Sequence, residues 1–296
     1  MPAQKYLAYY IYFSHFIYNL FLAIFLFVMS LPYLVNTTEK RTNLSSKQPV
    51  FIFDMGGVLV KTDKKIAVKH LEFSLILKRI FWHFQSFGTL QSIFYDTLEK
   101  TIEGQDVKSL PASNDPEGRP LPFLMRAWLS GMLSGNEIKR KVFSTMSRHP
   151  EWFSNETEQL LIKNLVNFVF TPTLFVESQY IPDNVISFVK QLHVAGYQLF
   201  VLSNWDENSF ILLKEKYKNF FDLFDGHIIS GRERMMKPDY AIYELLLKRY
   251  NLSAEQCIFI DDQKENIRTA LDANIIAILC SDFTSLSQYL SNYFLV

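Results

Sequence analysis

Short apolar runs alternate with longer amphipathic stretches through the second half of the chain. From Ile181 onward, this pattern predicts helices over 182–195, 207–218, 238–250 and 265–273, and strands over 198–202, 227–229, 257–260 and 275–279. A further apolar run, V-F-I-F, begins at Val50 and leads directly into Asp54. Strands that are apolar along their whole length and alternate with helices are typical of a parallel sheet with helices on both faces. The predicted fold class is therefore α/β, with a Rossmann-like parallel sheet.

The region between the first strand and this alternating part has a different pattern. Residues 64–180 show helical spacing and few strand signals, and the stretch 104–122 holds several prolines and glycines that predict a loop or an insertion. We therefore expect a core domain built from 49–63 together with 181–296, and a helical cap domain over 64–180.

The first 48 residues form a third kind of segment. Between Leu7 and Val35 there is no Asp, Glu, Lys or Arg, and the piece from Ile17 to Val35 is long enough to cross a hydrocarbon layer of about 30 Å. An uncleaved, single-pass transmembrane helix is the favoured interpretation. A cleaved secretory signal and a buried helix of the globular part are the alternatives; the apolar stretch is long for a signal and lacks a clear A-x-A cleavage site.

Flanking residues bear on the orientation of this predicted anchor. Lys40, Arg41 and Lys47 follow the span, while Lys5 precedes it, so a small bias favours a cytoplasmic main domain. Residues 36–48 are polar and predict a linker. Residues 1–48 are thus expected to be a membrane anchor and linker, with the membrane as a partner.

Composition narrows the remaining partners. Thirty basic residues balance thirty acidic ones among 296, and no basic stripe is present, so we expect no nucleic-acid partner. The two cysteines, Cys257 and Cys280, lack metal-ligand spacing and predict free thiols.

Polar residues stand where the predicted strands end. The first strand ends at Asp54, and the strand 198–202 is followed by Ser203 and Asn204. Asp261-Asp262 follows the strand 257–260, and Lys237 precedes the helix that begins near Pro238. Because ligands of open parallel sheets bind outside the carboxyl ends of the strands, these side chains are expected to share one rim. Asp54 by itself is equally compatible with a turn residue that caps a backbone N–H.

Together these residue types suit phosphoryl transfer. A carboxylate can attack phosphorus and form an acyl phosphate, but it must approach an anion. Mg²⁺ held by oxygen ligands offsets that repulsion. A hydroxyl and a lysine, here Ser203 and Lys237, can hold the non-bridging oxygens.

Four short motifs resemble those of a known family. F-D-M-G-G-V-L-V, V-L-S-N, K-P and F-I-D-D-Q-K-E-N are similar to the four motifs of the haloacid dehalogenase superfamily, which consists mostly of Mg²⁺-dependent phosphatases. The resemblance covers roughly residues 49–63 and 181–281, and it implies that the region between them is a cap inserted after the first motif.

The resemblance also implies roles for individual residues. Asp54 would be the nucleophile and a metal ligand, and Asp262 a direct metal ligand, with Asp261 as a second ligand or acting through water. Ser203 would supply the phosphate-binding hydroxyl, Lys237 the charge-balancing cation and Gly56 a backbone carbonyl for the metal. Asn204, whose amide stands beside Ser203 at the strand end, is also expected to bind substrate.

Gly56 departs from the pattern of most phosphatases of this superfamily. Those proteins carry there a second Asp, which protonates the leaving oxygen, and loss of such a group typically costs about 10²- to 10⁴-fold in rate. The chain is therefore expected to be slow, to use a leaving group that needs little protonation, or to take an acid from the cap. A subgroup of the family's sugar-phosphate phosphatases has glycine at this place, so the substitution does not by itself imply inactivity.

Three functions compete on this reading. The leading one is Mg²⁺-dependent hydrolysis of a small phosphorylated metabolite, a phosphate monoester, through an aspartyl-phosphate. A 2-haloacid dehalogenase-type hydrolase is the alternative within the family, although Asp261-Asp262 argues against it because dehalogenation needs no cation. The third is a catalytically weak or inactive binding domain.

Overall fold

The structure is a computed structural model that describes residues 48–83, 88–102, 110–115 and 118–294. The transmembrane helix predicted within 1–48 lies outside these residues. Within them, no helix combines the length and the apolar character needed to cross a bilayer.

A five-stranded parallel sheet forms the centre of the fold, as predicted. Its strand order is β5-β4-β1-β6-β7, and a separate antiparallel ribbon pairs β2 with β3. The bounds are β1 Val50–Phe53, β2 Lys61–Thr62, β3 Gln179–Tyr180, β4 Gln198–Ser203, β5 Gly226–Ile229, β6 Cys257–Asp261 and β7 Ile276–Leu279. Phe53 at the end of β1 pairs with Val201 on one side and with Ile260 on the other. This register brings the ends of β1, β4 and β6 to one edge of the sheet.

Helices occupy the segment between the two strands of the ribbon. They are α1 Lys64–His70, α2 Phe73–His83, α3 Gly88–Lys100, α4 Phe123–Leu129, α5 Gly135–Arg148, α6 Glu156–Val169 and α7 Pro172–Glu177, with a short 3-10 turn at Pro150–Trp152. We call α1 to α7 the helical insertion. Its apolar side chains form a cluster of their own that includes Leu98, Leu124, Ile138, Leu161 and Phe170.

The described parts of the proline-rich stretch 104–122 are not helical, in agreement with the predicted loop. This loop is organised by Asp115, which accepts hydrogen bonds from the backbone and the guanidinium of Arg119. The predicted division of the chain into a core domain and a cap domain stays a prediction.

The remaining helices cover the sheet. They are α8 Asp183–Val194, α9 Glu207–Lys216, α10 Lys218–Phe221, α11 Ser230–Glu233, α12 Tyr240–Arg249, α13 Lys264–Asp272 and α14 Phe283–Phe294. Successive residues of a strand point to opposite faces, so Phe51 and Phe53 pack with α8, α9 and α14 while Val50 and Ile52 pack with α12 and α13. Both faces are therefore covered, as predicted.

The helix α14 was not predicted. Its buried residues Phe283, Leu286 and Leu290 have helical spacing, so the pattern was present in the sequence. The predicted helix over 207–218 is divided at Tyr217 into α9 and α10. The helix predicted over 238–250 begins at Tyr240 in the structure, because the Asp239 side chain caps it by accepting a hydrogen bond from Ala241 N.

Candidate active site

Asp54 lies at the end of β1, where the chain enters a tight turn. Its carboxyl group is buried, and its backbone N–H donates to Ile260 O at 2.9 Å. Val60 N closes the turn on Met55 O at 2.7 Å. Gly57 in this turn has a φ of +76°, and a Cβ there would stand 1.9 Å from Oδ2 of Asp262. A glycine is thus required at 57, because the turn packs directly against the Asp262 carboxylate.

Lys237 connects two of the predicted acidic residues. Its Nζ lies 2.9 Å from Oδ1 of Asp54 and 2.5 Å from Oδ2 of Asp261, and its side chain is 1 % exposed. The Asn204 side chain accepts from Lys237 N and donates to Lys237 O, both at 2.8 Å. This clamp on the lysine backbone is a role that the sequence did not predict for Asn204, and no described contact tests its predicted role in binding substrate.

Asp261 is held from several sides. Its oxygens accept hydrogen bonds from Gln263 N at 2.8 Å and from Nδ2 of Asn266 at 3.0 Å, in addition to Lys237. With so many donors already on its two oxygens, Asp261 is arranged to position Lys237. A direct bond from Asp261 to a metal would have to share oxygens with these donors.

Asp262 differs from its neighbour because its Oδ1 is buried and has no hydrogen-bond partner within the described part of the chain. Burial, followed by the negative charges of Asp54 and Asp261, raises the pKa of Asp262 to about 7. Burial also raises the pKa of Asp54, an effect that Lys237 opposes and Asp261 reinforces. Burial alone would lower the pKa of Lys237, but the attraction of Asp261 and Asp54 outweighs it and raises that pKa.

A divalent cation fits this arrangement. One oxygen each of Asp54, Asp261 and Asp262 lies within 4.8 Å of the others, and hard cations such as Mg²⁺ prefer carboxylate oxygens. The unpartnered Oδ1 of Asp262 is a ligand atom without another use in the described structure. Ser203 Oγ, at the end of β4, is buried beside Asp54 and acts to lower the pKa of that carboxyl group. A hydroxyl next to the nucleophile is also placed to bind a phosphate oxygen.

These motifs and this geometry agree with a comparison against protein families. The family model described as haloacid dehalogenase-like hydrolase matches residues 49–274. The chain belongs to the haloacid dehalogenase-like hydrolases.

Two curated relatives match part of this hydrolase. The sesquiterpene phosphatase astK of Aspergillus oryzae is 33% identical over 102 residues, which are 34% of this chain and 52% of the relative. The drimenol cyclase drtB of Aspergillus calidoustus is 27% identical over 106 residues, or 36% of this chain and 20% of the relative. The aligned stretches thus span about half of the first relative and a fifth of the second.

Solved structures share the fold. A haloacid dehalogenase family enzyme of Bacteroides thetaiotaomicron, solved with magnesium and inorganic phosphate, is 15% identical with a TM-score of 0.50, over 81% of this chain and 99% of that one. A HAD-like family hydrolase of Porphyromonas gingivalis is 15% identical with a TM-score of 0.50, over 82% of this chain and 98% of that one. At these identities the likeness establishes the fold alone.

In this hydrolase, the backbone at Gly56 does not require glycine. Gly56 lacks the positive φ of Gly57, and a Cβ at 56 would lie 3.7 Å from Cζ3 of Trp205, an ordinary van der Waals contact. The absence of an acidic side chain at this place is therefore not explained by strain or by lack of room for the first side-chain atom. The predicted use of its carbonyl as a metal ligand stays a prediction.

Three residues near the site were missed by the sequence analysis. Asn266 stands within the quoted motif F-I-D-D-Q-K-E-N, which was the signal that could have found it. Lys61 on β2 donates to Gly57 O, and its charge acts to lower the pKa of Asp262. Trp205 directly follows V-L-S-N, but nothing in the sequence around it indicates that its ring lies against Gly56.

Proposed function

We propose that this hydrolase cleaves phosphate monoesters with Mg²⁺, through a phosphorylated Asp54. The observation that carries the proposal is the position of Lys237 between Asp54 and Asp261, beside the unpartnered oxygen of Asp262. These residues bring together a nucleophile, a fixed cation and a group of anionic oxygen ligands at one edge of the sheet.

The reaction would follow two displacements at phosphorus. An oxygen of Asp54 forms a bond to phosphorus as the bond to the ester oxygen breaks. The alkoxide leaves with the electron pair and takes up a proton from solvent. Water then attacks the acyl phosphate, which releases inorganic phosphate and restores the Asp54 carboxylate. Lys237 and Ser203 would hold the non-bridging oxygens during both steps.

Bound Mg²⁺ would offset the repulsion between the carboxylate and the phosphate and favour an in-line geometry. Asp54 and Asp262 are the residues proposed to bind Mg²⁺ directly. Asp261 is proposed to position Lys237. Asp261 keeps Lys237 charged and in place, since the carboxylate accepts from its ammonium group at 2.5 Å.

The substrate proposed is a small phosphorylated compound, with the helical insertion acting as the cap over the site. A phosphorylated sesquiterpene belongs among the first compounds to test, because one relative is named a sesquiterpene phosphatase. Dehalogenation is disfavoured, because the buried Oδ1 of Asp262, which has no partner among the described residues, has no use in a metal-free reaction at carbon.

The decisive experiment is hydrolysis of p-nitrophenyl phosphate by the purified chain with Mg²⁺ and with a chelator. We expect turnover that Mg²⁺ restores after chelation and that Asp54→Asn lowers by roughly 10⁴-fold or more. Asp63→Asn is the matched control, because Asp63 caps α1 by accepting from Lys65 N and takes no part in the cluster. Equal activity of Asp54→Asn and the wild type would reject the proposal, and complete inactivity of the folded wild type would favour a binding domain.

A further inference from the structure

The chain places an aromatic ring beside the reacting group, where Gly56 leaves room. Trp205 follows Ser203 by two residues, and Gly56 follows Asp54 by two residues. The two meet, since Cζ3 of Trp205 lies 3.7 Å from the Cβ position of residue 56. The Trp205 backbone is fixed, because its N–H donates to Ser230 Oγ at 2.9 Å and its carbonyl accepts from Gly231 N at 3.0 Å. The ring itself is buried in the core cluster and lies next to the turn that carries Asp54.

This ring begins an aromatic row that continues into the helical insertion. The ring centroids of Trp205 and Phe175 are 5.5 Å apart, and those of Phe175 and Trp128 are 5.8 Å apart. Phe175 is half-buried and packs against both the core cluster of the sheet and the cluster of the insertion. We call Trp205, Phe175 and Trp128 the aromatic row.

The row is not fully accounted for as packing. The indole N–H of Trp205 is buried and has no hydrogen-bond partner in the described part of the chain, although such a buried donor normally finds one. Phe175 retains an exposed part of its surface. The indole N–H suits an acceptor such as an oxygen of the phosphate ester, and the exposed part of Phe175 suits an apolar group next to that oxygen.

The charged cluster and the row divide the space around Asp54. Lys237, Ser203 and Asp262 supply charge and hydrogen bonds, so the phosphoryl group belongs on their side. The alcohol part of the ester would then lie on the side of Gly56, where the Trp205 ring lies with Phe175 next to it. An alcohol rich in hydroxyls would lose hydrogen bonds to water there, while an apolar alcohol would gain from burial.

We propose that Trp205 and Phe175 contact the alcohol part of the substrate and select phosphate monoesters of apolar alcohols. This inference rests on the proposed phosphatase function. Trp205 and Phe175 would set specificity and take no part in bond making. Their replacement should therefore change the preference between substrates more than it changes the rate of the chemical step.

The test compares n-hexyl phosphate with glycerol 3-phosphate, two primary alkyl esters that differ in the polarity of the alcohol. We expect the wild type to prefer the hexyl ester at least tenfold in kcat/KM. Trp205→Ala is expected to lower this preference about tenfold, mainly through a higher KM for the hexyl ester, and Phe175→Leu to lower it about threefold. Trp152→Ala is the control, because that ring stacks on His149 within the insertion and its loss is expected to leave the preference unchanged.

If Trp205→Ala fails to fold, Trp205→Phe takes its place, because it keeps an aromatic residue in the core. Trp205→Phe is expected to lower the preference for the hexyl ester at least threefold. A wild type that prefers the glycerol ester, or Trp205 variants that change both esters by the same factor, would overturn the inference while the phosphatase function stands. If the wild type hydrolyses neither ester nor p-nitrophenyl phosphate, the proposed function itself fails.

Discussion

The ammonium nitrogen of Lys237 lies 2.9 Å from Oδ1 of Asp54, and the two side chains are only 1 % and 9 % exposed. Lys237 also contacts Asp261, so one cation serves two carboxylates, while Asp262 beside them has a buried oxygen without a partner among the described residues. Burying ionised groups is costly unless they are paired. The cluster is therefore built to be completed by a further positive charge, and its properties should depend strongly on both Lys237 and Mg²⁺.

Replacing Lys237 with methionine should affect both activity and stability. The change leaves Asp54 and Asp261 buried without their cation, which costs about 3–5 kcal/mol of unfolding free energy for a broken buried pair. We expect turnover to fall at least about 100-fold. Added Mg²⁺ should raise the melting temperature of the variant more than that of the wild type, because the ion would replace the missing charge. Thermal unfolding with and without Mg²⁺ measures this, and Lys218→Met, at an exposed lysine, is the control.

The leaving group should control the rate, because no acid stands at residue 56. We expect wild-type rates to fall steeply as the pKa of the leaving alcohol rises. Gly56→Asp should raise turnover of alkyl esters by about 10- to 100-fold, since a positioned acid contributes about 10²- to 10⁴-fold where it is fully effective. Turnover of p-nitrophenyl phosphate should change much less.

A series of esters with graded leaving-group pKa measures this dependence. Gly56→Ala is the control, because it adds only the Cβ that the structure can accommodate beside Trp205. Unchanged dependence on the leaving group in Gly56→Asp would show that position 56 does not reach the ester oxygen.

His227 should make the protein sensitive to acid. Its ring lies among Phe210, Phe221 and Phe224, and burial, followed by the nearby charge of Lys214, lowers the pKa of His227 to about 4. The unfolded chain binds the proton near the ordinary pKa of about 6.5, so folding stability falls as the pH drops from about 6.5 toward 4. We expect a loss on the order of 2 kcal/mol, allowing for the partial exposure of the ring.

Urea unfolding at pH 7 and at pH 4.5 tests this. The difference in unfolding free energy between pH 7 and pH 4.5 should be smaller in His227→Phe than in the wild type. It should be unchanged in His193→Gln, which alters an exposed histidine. An unchanged difference in His227→Phe would assign the acid sensitivity to other groups.

A buried ion pair in the helical insertion should matter for its stability. Arg79 and Glu158 are 1 % and 2 % exposed, with 2.7 Å between Nη1 and Oε2. Arg79→Met leaves Glu158 uncompensated and should cost about 3–5 kcal/mol, and the double variant Arg79→Met/Glu158→Met should recover much of it. Asp222→Asn, which breaks the exposed pair with Lys218, should cost less than about 1 kcal/mol. A double variant as unstable as Arg79→Met would show that packing, and not charge, sets the cost.

The elements that proved predictable have patterns that are local in sequence. The apolar run that begins at Val50 and the similar short runs after Ile181 indicate buried strands, and the longer stretches with a period of 3.6 residues between those later runs indicate helices. The meeting of Asp54, Ser203 and Asp262 could also be expected, because parallel strands end at one edge of their sheet. Boundaries were less accurate, since a cap such as Asp239 shifts a helix start without changing the apolar pattern.

The contacts that define the site in detail could not be predicted this way. Asn204 binds the backbone of Lys237, Asn266 binds Asp261, and Trp205 meets Gly56, and each of these contacts joins separate elements. Such contacts depend on the register of the sheet and on the packing of loops onto it.

The chain alone thus sets the class of fold, the family motifs and the residue types available for phosphoryl transfer. Folding decides how those residues share charge and hydrogen bonds. Asp261 and Asp262 are adjacent in sequence, yet one is saturated with donors and the other keeps a buried oxygen without a described partner. Asp261 is the last residue of β6, whereas Asp262 lies in the bend that follows, so the two side chains meet different neighbours. Only the tertiary structure brings those neighbours within hydrogen-bonding distance.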